Sequence, residues 1–114
     1  MESSKMLASV AGGKKVPVFL SGDFNATPET AIIQNLMKQG PFADPFLEFG
    51  LPVANSGTFH DFTGRAGEER LDYIFHNDQA TALEYGKLVK ANAGVNHNKY
   101  PSDHFPVWTL FQMK

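Results

Sequence analysis

Short apolar runs alternate with polar, glycine- and proline-rich stretches, and the period of each run predicts its element. Residues 2–11 (ESSKMLASVA) place Met6, Leu7 and Val10 on one side of a short amphipathic helix, stopped by Gly12-Gly13. Val16-Pro17-Val18-Phe19-Leu20 is rich in β-formers and lies between glycines, which predicts a buried strand with Pro17 near its start, where a missing N–H is tolerated. Thr27-Pro28-Glu29-Thr30 then opens a helix, with Thr27 as its cap and Pro28 in first position; Ile32, Ile33, Leu36 and Met37 recur at helical spacing, and Gly40-Pro41 ends it. Residues 41–57 carry three prolines and two glycines, so they read as a loop with one helical turn around Pro45–Phe49. Thr58-Phe59-His60 reads as a short strand, followed by a polar loop from Thr63 to Glu69. Arg70–His76 alternates Leu71, Tyr73 and Phe75 with Asp72 and Ile74, a strand with a polar interruption on one face. Residues 82–90 read as a strand, against a helical alternative, because they follow another strand closely. Residues 91–102 form a polar loop. In His104–Gln112 both faces are largely apolar, so this last strand is expected to be central rather than at a wet edge.

The length of 114 residues fits a single domain, residues 1–114. Ten phenylalanines, three tyrosines and one tryptophan supply core and exclude a disordered chain. A net charge of −2 argues against a protein that holds nucleic acid by bulk phosphate neutralisation, which needs a basic face, and leaves local basic contacts open. Without cysteine there is no disulfide, thiolate zinc site or thiol nucleophile. No apolar stretch approaches the roughly 18 residues of a membrane span, and residues 1–5 lack a signal-peptide head, so a soluble cytoplasmic protein is the expectation.

Candidate chemistry collects at the ends of the apolar runs, where a sheet presents side chains at one rim. Asp23 and Asn25 follow the first strand, Phe59-His60-Asp61 sits at the short strand, Asp72 lies within its strand, and Asp103-His104 precedes the last. A carboxylate at a strand end is most often a turn or cap residue. Asp72 is harder to dismiss, because a carboxylate inside an apolar strand needs a partner such as histidine or arginine. Phe59 reads more readily as packing than as a stacking platform for substrate. His60, His76 and His97 read as structural or solvated, Arg65 and Arg70 as able to meet phosphate or to form a surface ion pair, and Trp108 as core.

Taken in order, Gly22-Asp23-Phe24-Asn25, Arg70-Leu71-Asp72-Tyr73-Ile74-Phe75 and Ser102-Asp103-His104-Phe105-Pro106-Val107 resemble the endonuclease/exonuclease/phosphatase superfamily, the DNase I-like fold. Each motif alone is weak; three in order at the right strand boundaries, spanning about residues 2–112, are specific. The resemblance implies an α/β (α+β) chain forming half of a four-layer α/β/β/α sandwich, with one mainly antiparallel mixed sheet and helices on one face. It further implies a divalent-metal-dependent phosphoesterase or nuclease hydrolysing a phosphodiester or phosphomonoester by in-line attack of water. Asp23 would activate the water, Asn25 would donate to a phosphoryl oxygen, and His104, paired with Asp72, would contact the scissile phosphate. Asp103 would serve the metal, Mg²⁺ or Mn²⁺, and Phe59, His60 and Arg70 are the candidates to touch substrate.

The motifs are those of the second half of such a domain. The first-strand asparagine, the metal-binding glutamate and the mid-domain histidine or tyrosine of the family have no counterpart here. A half-sandwich leaves an apolar sheet face bare, either Phe105, Val107 and Phe111 or Trp108 and Leu110. The expected remedies are a homodimer or a partner chain carrying the first half, unless the sequence is a fragment. The expected substrate is a phosphate ester, with nucleic acid among the options. The competing reading is a non-catalytic assembly or binding module that keeps the polar rim without turnover.

Overall fold

The computed structural model of the chain describes residues 15–40, 42–89 and 102–114. The helix expected over residues 2–11, His97, and the loop expected over 91–102 apart from Ser102 lie outside the described residues. Six elements follow in order: β1 (Phe19–Asp23), α1 (Ala31–Gln39), α2 (Pro45–Glu48), β2 (Asp72–His76), β3 (Ala80–Lys87) and β4 (Val107–Met113).

All pairing between strands is antiparallel, as expected, but it forms two two-stranded ladders among the described residues instead of one sheet. β1 runs against β2 from Phe19↔His76 to Asp23↔Asp72, and β3 against β4 from Ala80↔Met113 to Lys87↔Val107. At His76 and Asp72, backbone groups of β2 that a further strand would use are taken by loops. His76 exchanges both of its backbone bonds with Ala43, and the Asp72 amide donates to Thr58 Oγ1.

Alternation along β1 and β2 sends Leu20, Tyr73 and Phe75 to one face. There α1 covers them with Ile33 and Leu36, joined by Phe42, and Phe24 meets the Tyr73 and Phe75 rings edge-on at 5.5 Å each. The opposite face carries Phe19, Ser21 and Asp23 from β1 with Asp72, Ile74 and His76 from β2. β4 packs on that side through Phe111, whose ring lies 4.7 Å from Phe19 and 5.1 Å from His76.

Several boundaries differ from expectation for identifiable reasons. The first strand begins at Phe19, not Val16, because β2 turns away after His76 and the Asn77 side chain takes over as partner. Its Oδ1 accepts the Val18 N–H (3.1 Å) and its Nδ2 donates to the Val16 carbonyl (2.9 Å). β1 is also mostly exposed rather than buried, with only Leu20 half-buried. Thr27 does not cap α1. Its hydroxyl donates to Glu29, while Thr30 stands at the N-cap position and its hydroxyl closes the preceding turn on the Thr27 carbonyl. α2 is the helical turn expected around Pro45, capped by Asp44 with Pro45 at its start. A register shift between Ala82 and Glu84 in β3 breaks its alternation and leaves Leu83 exposed, which is why residues 82–90 lacked a clean period. β4 is not central among the described residues. It bonds only β3, and Trp108 and Leu110, on its outer face, are exposed, so of the two apolar sets anticipated this is the bare one.

Candidate active site

The turn after β1 follows from four residues with different needs. Gly22 adopts φ +147°, which disfavours any side chain, although a Cβ there would meet no atom. Asp23 faces the cleft and Phe24 the core. Asn25 takes φ 51°, a left-handed conformation that asparagine tolerates, and its N–H donates to Asp23 Oδ1 at 2.8 Å. The Asp23 carboxylate is thereby fixed through one oxygen, with Oδ2 left toward the cleft.

The β1–β2 register sets Asp23 directly opposite Asp72. Like charges in such a pair repel, and the His104 imidazole stands between them. Its Nδ1 lies 2.6 Å from Asp72 Oδ2, and its Nε2 lies 3.7 Å from Asp23 Oδ2 and 3.9 Å from Asp103 Oδ1. Burial alone would lower the His104 pKa. The hydrogen bond and charge of Asp72, reinforced by Asp23 and Asp103, outweigh it and raise the pKa above the ordinary histidine value, favouring the imidazolium.

Local structure holds the ring in place. The His104 N–H donates to Ser102 Oγ, and Phe59 meets the imidazole edge-on at 5.4 Å. Residue 59 also forms an isolated bridge with residue 104, so the expected short strand at Thr58–His60 survives as this single contact. Beside the ring lies a cavity of about 350 Å³, lined among others by Ser21, Asp72, Ile74, Ser102, His104 and Val107.

The motif residues Asp23, Asn25, Asp72, Asp103 and His104 therefore converge, with Phe59 against them. His60 and Arg70 do not join as substrate contacts. His60 is buried, lies 4.3 Å from the Phe105 ring and accepts the Gly64 N–H on Nδ1. Arg70 is 1% exposed, and in place of a surface ion pair it forms a buried, two-pronged one with Asp44. Its guanidinium lies 4.2 Å from the Phe46 ring centre and 4.7 Å from that of Tyr73. Burial works against this cation, but the Asp44 hydrogen bonds and charge keep its pKa raised.

Sequence reasoning passed over two residues. Asp44 carried a usable signal, an Asp-Pro pair that reads as a helix cap. Thr58, fully buried, accepts the amides of both Leu71 and Asp72 on Oγ1. The loop bearing it approaches so closely that a Cβ on Gly57 would fall 2.8 Å from the Gly67 carbonyl oxygen.

One titration tests the electrostatics. Asp72→Asn should bring the His104 pKa down, read by NMR of the ring protons; an unchanged pKa would contradict the pairing. Because the folded pKa is raised, the pair's stabilisation is complete below the unfolded value of about 6.5 and is lost as pH rises through the folded value. The substitution should accordingly lower the urea midpoint more at about pH 5.5 than at about pH 9.

The donor set suits a hard divalent cation. Asp23, Asp72 and His104 bring one ligand atom each to within 4.8 Å of one another. With Nδ1 bonded to Asp72 and the imidazolium favoured, the carboxylate oxygens are the donors left for it.

Among the described residues no helix is long and apolar enough to cross a membrane. No curated protein matches the sequence significantly. Solved structures do resemble it. The mannosyl-6-phosphatase Bt3783 of Bacteroides thetaiotaomicron is similar at 26% identity and TM-score 0.76, over 98% of this chain and 43% of that one. An endonuclease/exonuclease/phosphatase family protein of the same organism is similar at 25% identity and TM-score 0.73, over 96% of this chain and 41% of that one. A conserved protein of unknown function from Enterococcus faecalis V583 is similar at 27% identity and TM-score 0.67, over 86% and 37%. The chain thus spans about two fifths of the length of these neighbours. The pattern of the Endonuclease/Exonuclease/phosphatase family matches residues 6–104, and with the three motifs gathered on one rim, the chain belongs to that family.

Proposed function

We propose that this chain carries the water-activating and phosphate-contacting half of a divalent-metal-dependent phosphoesterase. The observation behind this reading is the imidazole set between two opposed carboxylates, Asp72 at 2.6 Å and Asp23 at 3.7 Å, beside a cavity. Asp72 favours the His104 imidazolium, whose Nε2–H can donate to a phosphoryl oxygen and offset its growing charge. Asp23, fixed by the Asn25 amide, keeps a free oxygen to orient water and take its proton, and the Asn25 side chain donates to the phosphate. Asp103 would hold Mg²⁺ or Mn²⁺, which when bound neutralises phosphate charge. Phosphate monoesters, including sugar phosphates, and phosphodiesters are the candidate substrates. A similarity to a structure named as a mannosyl-6-phosphatase supports the former.

Completion of the site falls to the first half of the fold, carried on a longer form of this chain or on a partner chain, while the exposed Trp108–Leu110 face is to be covered by that half or by a second copy. The competing reading is a non-catalytic binding module that keeps the polar rim without turnover. Hydrolysis of p-nitrophenyl phosphate and bis-p-nitrophenyl phosphate with Mg²⁺ or Mn²⁺ separates the two. Asp23→Asn and His104→Ala should each lower the rate by about 10²-fold. Equal rates for wild type and both variants would reject the catalytic reading for this chain.

A further inference from the structure

We propose that Thr58 is the positioning residue of the Asp72–His104 pair, the buried hydroxyl that fixes carboxylate and imidazole at bonding distance. Asp72 opens β2, whereas His104 lies on the segment leading into β4, and no strand ladder joins the two. Thr58 touches both segments. Its Oγ1 accepts the N–H of Leu71 at 2.9 Å and of Asp72 at 3.2 Å, which uses both lone pairs of the hydroxyl. Its N–H donates to the Glu69 carbonyl at 3.0 Å, and its carbonyl accepts the Phe105 N–H at 2.7 Å. Thr58 thus bonds the backbone of Asp72 on one side and the residue next to His104 on the other. The neighbouring bond from the His60 N–H to the Asp103 carbonyl, 2.7 Å, carries the same loop along the histidine segment.

Packing alone does not call for a hydroxyl at a fully buried position; valine has nearly the same shape. What the hydroxyl adds is an acceptor for two amides without a strand partner among the described residues, and those amides belong to the start of β2 that aims the Asp72 side chain. The chemistry requires oxygen on Cβ, so serine should serve and valine or alanine should not.

The role deepens the phosphoesterase reading, since it concerns the same pair, but its test does not use hydrolysis. In the wild type, proton NMR at low temperature should show a far-downfield His104 Nδ1–H resonance that Asp72→Asn removes. Thr58→Val should lose or shift that resonance and speed exchange of the Leu71 and Asp72 amides by about tenfold or more, while Thr58→Ser retains the wild-type pattern. If Thr58→Val does not fold, Thr58→Ala, which adds no bulk, gives the same comparison. A resonance unchanged in a folded valine or alanine variant, or lost in the serine variant, would overturn the positioning role. A wild type with no such resonance would overturn the pair itself and the role with it. An inactive chain that keeps the full spectroscopic pattern would instead reject the catalytic reading for this chain and leave Thr58 as assigned.

Discussion

Asp44→Ala should destabilise the chain by about 3–5 kcal/mol, read as a fall in the urea midpoint with little change in slope. Asp44 and Arg70 are 3% and 1% exposed, and the two-pronged pair lies against the Phe46 and Tyr73 rings. Removing the carboxylate leaves a guanidinium buried without its counter-charge. It also removes the cap that accepts the Phe46 N–H, worth about 1 kcal/mol by itself. A domain of this kind holds only about 5–15 kcal/mol in total, so the variant should sit near its unfolding threshold. The double variant Asp44→Leu/Arg70→Met should recover much of the loss, because replacing both charges by apolar groups avoids the stranded cation. A single variant as stable as wild type would mean that the pair is solvated in solution.

Phe75→Ala should cost about 3–5 kcal/mol as well, by a different route. Phe75 is fully buried, stacks on Tyr73 at 5.1 Å, meets Phe24 and Phe42 edge-on, and sits in the cluster with Ile33 and Leu36. The cavity left behind would loosen Phe24, which separates Asp23 from Asn25 in the turn, so the site should suffer with the core. Leu88→Ala, at a residue 57% exposed, provides the contrast and should stay within about 0.5 kcal/mol. Similar losses for the two substitutions would contradict the placement of the core on the α1 side of the β1–β2 ladder.

The three motifs were legible because each couples a turn to an alternating strand. In Gly22-Asp23-Phe24-Asn25, one residue faces the cleft, the next the core, and the turn then needs glycine and asparagine conformations; such constraints are local and show in the residue types. Asp72 was legible as a carboxylate within an apolar strand. Arg70 was not, because nothing local distinguishes an arginine that reaches solvent from one that meets Asp44, 26 positions earlier. Thr58 escaped for a similar reason, since a hydroxyl bonding amides 13 and 14 residues away has no period to reveal it. The late start of β1 depended on the Asn77 side chain, a partner still more distant in sequence. What stayed hidden was long-range side-chain bonding, while the element types followed mainly from short-range pattern.

The division of the strands into two ladders has a consequence for how the fold comes apart. Asp23 and Asp72 ride on β1 and β2, whereas His104 is carried by the segment entering β4. Among the described residues the β1–β2 and β3–β4 pairs share no ladder, so each can open as its own cooperative unit while keeping its own backbone bonds. A brief parting of these units would withdraw the imidazole from both acids while spectroscopic strand content barely changed. Loss of the charge cluster should therefore be an early event in unfolding, earlier than the melting of either ladder.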